Sequence, residues 1–210
     1  MRHIAVEGVI GVGKTSLAKM LARDMGARLN LEVVEENPFL ARFYDDPRRY
    51  AFSTQVFFLL SRYNQQQQFF QQDLFQRAVV SDYIFAKDRI FANVNLDDEE
   101  LRLYERVASE LERRVPVPDL VVYLQAGVDV LMTRIHRRGR TYERSIARDY
   151  IETLNEAYNH FFFHYAESPL LVVNTNEMDF VHQDEHYRIL RRHIEEPFQG
   201  VQYYTPSWER

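Results

Sequence analysis

Apolar residues along this chain fall into two rhythms. Short unbroken runs, HIAVEG (3–8), RLNLEVV (28–34), AVVSD (78–82), DLVVYLQ (119–125) and LLVVNT (170–175), are rich in β-branched residues or leucine and end in polar or turn residues. Runs of that length predict buried strands. Between them apolar positions recur at helical spacing. Phe52, Val56, Leu60 and Tyr63 place one stripe on a helix over about 48–74, and further helices are predicted over 97–114, 127–137, 146–165 and 181–195. Strands alternating with helices imply right-handed crossovers and a parallel sheet covered on both faces. The expected fold class is therefore α/β, three layers around a five-stranded parallel sheet. In such folds ligands sit at the carboxyl ends of the strands, so the residues just after each run carry the most information.

Composition narrows the picture. The 210 residues suit one domain with a full core. A net charge of −5 offers no global attraction to nucleic acid or anionic membrane, so any such attraction must be local. The absence of cysteine removes disulfides, thiolate metal sites and cysteine nucleophiles together. No apolar stretch reaches the roughly 18 residues of a membrane span. The first residues begin like a secretory signal but run straight into glycines and a lysine, so a cytoplasmic protein is expected.

The first strand runs into GVIGVGKT, residues 8–15, which satisfies G-x-x-x-x-G-K-[ST] and is followed by the helical SLAKMLARDM. In such a loop the backbone of Gly8, Val9, Ile10, Gly11, Val12 and Gly13, continuing to Ser16, curls around phosphate oxygens at a helix N-terminus. Lys14 supplies a point charge to the β/γ-phosphates and the Thr15 hydroxyl a ligand for Mg²⁺, which makes ATP with Mg²⁺ the expected donor pair. A switch GTPase would need Asn-Lys-x-Asp, and that string is absent. A small kinase is favoured. Asp82, directly after the third run, stands where phosphate-loop enzymes hold the metal shell, and Glu32, at the end of the second, could take a proton from an attacking hydroxyl. Glu35 and Glu36 compete with Glu32 for that role, and EENP reads equally as a helix start with Asn37 as cap.

RIHRRGRTYERS, residues 134–145, packs five arginines and a histidine into an otherwise acidic chain. Nucleic-acid binding would call for wider basic surface with interleaved aromatics, and only Tyr142 offers one here. Arg134, Arg138 and Arg140 bracket Gly139, a flexible point that lets a lid over about 136–145 fold onto a triphosphate and shed water.

Taken in order, GVIGVGKTS, EVVEENPFLARFYDDPRRYAFSTQVFFLLSR, SDYIFAKDRIFA, RIHRRGRTYERSI and NTNEMDFV resemble the deoxynucleoside kinase family, especially its bacterial deoxyguanosine/deoxyadenosine kinase branch. The resemblance implies a P-loop kinase fold with an arginine-rich lid, an ATP-dependent 5′-phosphorylation of a deoxynucleoside, and a homodimer built through the helices around 52–63 and 146–165. It also implies roles for single residues. Glu32 becomes the catalytic glutamate, with Lys14, Asp82, Arg138 and Arg140 completing the catalytic set. Tyr44 and Glu143 approach the sugar 3′-hydroxyl, Gln55 reads the base edge, Arg62 pairs with Asp88 near the base, and Phe91 packs against it. Arg134 and Asp179 join the ATP site. One departure stands out: relatives often carry Asp/Glu-Arg-Ser after the third strand, whereas this chain reads Asp82-Tyr83-Ile84. Two alternatives remain open from sequence: a nucleoside monophosphate kinase, and a non-catalytic ATP-binding module.

Overall fold

The computed structural model describes residues 3–34, 36–71, 78–113 and 115–206. Its centre is β1 (His3–Gly8), every residue of which is buried. β1 lies between β3 (Val79–Ser81) and β4 (Leu120–Gln125), and β2 (Arg28–Asn30), β5 (Leu170–Asn174) and β6 (Val201–Tyr204) extend the sheet in the order β2-β3-β1-β4-β5-β6. Every pairing is parallel. The crossovers carry α1 (Lys14–Met25), α2 (Leu40–Asp45), α3 (Pro47–Gln71), α4 (Lys87–Asn95), α5 (Asp98–Glu112), α6 (Val128–Arg138), α7 (Arg148–Phe163) and α8 (Asp184–Glu195). The α/β expectation holds, with six strands where five were expected.

The sixth strand is the correction. Val201–Tyr204 alternate between exposed and half-buried, so they form no apolar run. Gly200, at a φ of 72°, turns the chain back to the sheet, and its carbonyl accepts from the Leu170 amide at 2.9 Å. Tyr204 packs over His193 of α8, with ring centroids 4.1 Å apart. The second strand is also shorter than its run: the β-ladder stops at Asn30, and Glu32 lies just beyond it. The short helix α4 carries no long periodic pattern and was not expected, whereas α2 begins close to the helix start that EENP offered as an alternative.

The core gathers Ile4, Val6, Leu17, Leu21, Val80, Val122, Leu131, Leu154 and Leu171 around the sheet. On α3 the stripe and the buried face differ. Leu60 is 44% exposed, whereas Gln55, Arg62 and Gln66 are almost wholly buried. The helix turns a polar face inward where Gln55 meets the Asp88 carbonyl and Arg62 meets Glu32 and Asp88. Asn37 does not cap α2, whose first turn follows Phe39; its side-chain oxygen accepts from the Phe39 amide at 3.0 Å and so shapes the turn before the helix.

Candidate active site

Two cavities open at the carboxyl ends of the strands, and they meet at Lys14, Thr15, Arg138 and Arg140. The first, of about 320 Å³, lies between the phosphate loop, α2, α3, α4 and the segment after α6. The second is a groove running from Gly11–Ser16 past Arg134 to the turn at Asp179.

The phosphate loop forms because its glycines take conformations closed to side chains. Gly13 has a φ of 111°, and a Cβ there would meet the Phe180 ring at 2.9 Å. Lys14 folds back along the loop, donating to the carbonyls of Gly8 at 2.7 Å and Val9 at 3.2 Å. Burial and the neighbouring Lys87 bring its pKa down to about 8. The Thr15 hydroxyl donates to Asp82 Oδ2 at 2.6 Å, and the other Asp82 oxygen accepts from the Glu32 amide at 2.7 Å. These hard oxygen donors at the head of α1 suit Mg²⁺.

Glu32 is held from both sides. Arg62 donates through Nε to Oε1 at 2.9 Å and adds a second bond to the same oxygen. Lys87 Nζ lies 2.6 Å from Oε2. Burial alone would push the carboxyl pKa up, but the two cations hold it well below the usual carboxylate range. Behind it, Arg62 pairs with Asp88, and the Tyr104 hydroxyl donates to Asp88 Oδ2 at 3.1 Å. Glu36 lies exposed, away from this network, and Glu35 falls outside the described residues.

The other expected residues gather in the same place. Tyr44, Gln55, Phe91 and Glu143 all line the first cavity. The Gln55 amide donates to the Asp88 carbonyl at 3.1 Å, and Phe91 stands edge-on to Tyr158 at 6.0 Å. α6 ends at Gly139, whose φ of 67° redirects the chain, and Arg138 then reaches Glu143 through Nε at 3.0 Å. Arg140 donates to the Tyr142 hydroxyl at 2.7 Å.

Arg134 also has a structural part. It lines the groove, but its guanidinium donates to the carbonyls of Val12, Thr175 and Met178, tying the phosphate loop to the segment after β5. Asp179 likewise lines the groove while its carboxylate accepts from the amides of Val181 and His182. Both are braces of the groove wall in this arrangement.

Three participants escaped the sequence. Glu7, inside β1, accepts from the amides of Gly8 at 3.0 Å and Ile84 at 2.8 Å, joining the phosphate loop to the turn after β3. Burial pushes its pKa up. A lone acid in an apolar strand, directly before the loop, was the available signal. Tyr104 lies on the buried side of α5, and nothing local marks it. Lys87 sits in SDYIFAKD, a cation among aromatics.

Comparison with known proteins agrees with this geometry. The family model described as deoxynucleoside kinase matches residues 4–198. The deoxyguanosine kinase of Bacillus subtilis is 33% identical over 198 residues, covering 92% of this chain and 96% of that protein. The deoxyadenosine kinase of Dictyostelium discoideum is 31% identical, covering 92% of this chain and 79% of its own. Among solved structures, deoxyadenosine kinase from M. mycoides with bound dATP superposes with a TM-score of 0.81 at 26% identity, covering 93% of this chain and all of that one. Phosphate loop, buried carboxylate cluster and overall likeness converge: the chain belongs to the deoxynucleoside kinase family.

Proposed function

We propose that the protein transfers the γ-phosphoryl group of ATP to the 5′-hydroxyl of a purine deoxynucleoside, with Glu32 facing that hydroxyl. The observation that carries the reading is the Glu32 carboxylate, fixed as an anion by Arg62 and Lys87 in the cavity that ends on the phosphate loop. In the transfer the 5′-oxygen bonds to the γ-phosphorus, the bond from that phosphorus to the β-bridging oxygen breaks, ADP leaves, and the hydroxyl proton passes to Glu32. Transition states of this kind are loose, so the carboxylate orients the hydroxyl first and takes the proton late. A depressed pKa suits that order, because the group is ionised whenever substrate arrives.

Lys14, Arg138 and Arg140 line both cavities, which supports their acting on charge at the migrating phosphoryl. Thr15 and Asp82 would hold Mg²⁺, which when bound neutralises charge on the phosphate oxygens. Among the described residues no group of three or more His, Cys, Asp or Glu could hold a metal by itself, so phosphate and water would complete the shell. Tyr44 and Glu143 are assigned to the sugar, Gln55 and Phe91 to the base. Purine preference rests on the relatives named above. An acceptor that already carried a phosphate would set its charge beside Glu32, which disfavours the monophosphate-kinase alternative. A homodimer through α3 and α7 belongs to the same reading, supported by the exposed Leu60 and Phe163. Cytoplasmic residence fits the finding that no helix among the described residues is long and apolar enough to cross a membrane.

Glu32→Gln tests the central assignment. Turnover with deoxyguanosine or deoxyadenosine is expected to fall by about 10²–10⁴-fold, the usual weight of general acid–base groups, while ATP binding measured by calorimetry persists. Near-wild-type turnover in that variant would overturn the role given to Glu32.

A further inference from the structure

Lys87 occupies a place where two electrostatic effects oppose a lysine. It is the first residue of α4, where the helix dipole disfavours a cation, and it is 2% exposed. A contact must offset both. The ammonium lies 2.6 Å from Glu32 Oε2, and the Tyr83 ring stands 5.9 Å from it as a cation–π partner. Tyr83 is itself fully buried and held in place. Its hydroxyl accepts from Asn30 Nδ2 at 3.2 Å and donates to Gln65 at 3.2 Å.

The division of labour around Glu32 gives this contact its meaning. Both Arg62 bonds fall on Oε1, so that side fixes one oxygen and leaves the carboxylate plane free to swing about it. Lys87 takes the other oxygen. A carboxylate held at both oxygens by different cations has one orientation. We infer that Lys87 is a positioning residue for phosphoryl transfer: it sets the plane of the Glu32 carboxylate toward the acceptor hydroxyl, with Tyr83 as the wall that keeps its ammonium in place. The residue after Asp82 thereby acquires a purpose in this chain, as an aromatic support for a cation four positions further on. The inference rests on Glu32 facing the 5′-hydroxyl.

Lys87→Met keeps the stem and removes the ammonium, and Lys87→Arg keeps the charge. For Lys87→Met, kcat is expected to fall by about 10- to 100-fold, the scale on which misorientation of a reacting group is felt. KM for ATP should change much less than kcat, because Lys87 does not line the groove that holds the phosphate loop's outer face and reaches it only through its neighbour Lys14. Lys87→Arg should recover a substantial part of kcat. In the double variant Glu32→Gln/Lys87→Met, the second change should add little to the first, since Lys87 acts through Glu32. All variants are assayed below their own melting temperatures. Should Lys87→Met melt too low, Lys87→Ala with added propylammonium replaces it, and restored turnover is the expected sign. Wild-type kcat in the neutral variant, no recovery in Lys87→Arg or with propylammonium, or full additivity in the double variant each overturns the inference. Failure here is separable from failure of the Glu32 assignment. Inactive Glu32→Gln beside fully active Lys87→Met removes only Lys87's role, whereas active Glu32→Gln removes the assignment itself.

Discussion

Arg62 is 4% exposed and bridges Glu32 to Asp88, so its charge is balanced by two carboxylates and its position by the helix that carries it. Burial alone would lower its pKa, but the flanking acids more than offset that and keep the guanidinium ionised. Removing one acid leaves the arginine competing for the other. Asp88→Asn is therefore expected to lower stability by about 3–5 kcal/mol, the range for breaking a buried pair, as measured by urea denaturation. Tyr104→Phe, which removes a single bond to Asp88, should lower it by only about 1 kcal/mol. Equal midpoints for Asp88→Asn and the parent would show that the pair is not buried as described. At this scale the sequence was uneven. Arg62, Asp88 and Glu32 were legible because an ordered set of motifs carried them. Glu7 and Lys87 were not, because each draws its role from a contact across the sheet ends, with Ile84 for one and Glu32 for the other.

Among the elements, the long runs were legible because burial on both faces of β1, β4 and β5 makes most of their residues apolar, the buried Glu7 excepted. Edge and functional elements broke the same rule. α3 carries its inward-facing polar side chains at helical spacing, so apolar periodicity pointed to the wrong face. β6 covers β5 with residues that are only half-buried, and its pairing from Leu170↔Val201 to Val173↔Tyr204 depends on a backbone ladder that side-chain pattern does not reveal. Deleting residues 200–210 tests what that strand does. It exposes the ladder edge of β5, an invitation to self-association. The melting temperature should fall by at least about 5 °C, which corresponds to roughly 2 kcal/mol in a domain of this size. Light scattering should rise on heating. KM values for both substrates should stay put, because no residue lining either cavity lies beyond His182. A truncated protein with altered KM and unchanged melting would assign β6 to the site instead of the scaffold.

For the molecule as a whole, the decisive feature is that the two cavities share four residues and are otherwise distinct. Lys14, Thr15, Arg138 and Arg140 form the shared wall, with Glu32, Gln55 and Phe91 on one side and Gly11–Gly13 with Asp179 on the other. Separate ligands filling both would bring a hydroxyl and a terminal phosphate together across that wall, converting an encounter in solution into a held geometry. Arg138 donates to Glu143, which lines the first cavity, so a triphosphate arriving in the groove would compete for the same guanidinium. Binding at one cavity is thus coupled to the other through a short, nameable contact. A single molecule joining adenosine to a deoxynucleoside 5′-oxygen through a polyphosphate bridge should fill both cavities at once. It is expected to compete with ATP and with the deoxynucleoside alike, and to bind more tightly than either by the effective concentration that the bridge confers. Arg138→Met should weaken this compound more than it weakens either substrate alone, because only the joined ligand engages both cavities at the shared wall. Competition with ATP alone would mean that the cavities do not communicate, and Arg138 would then serve the triphosphate only.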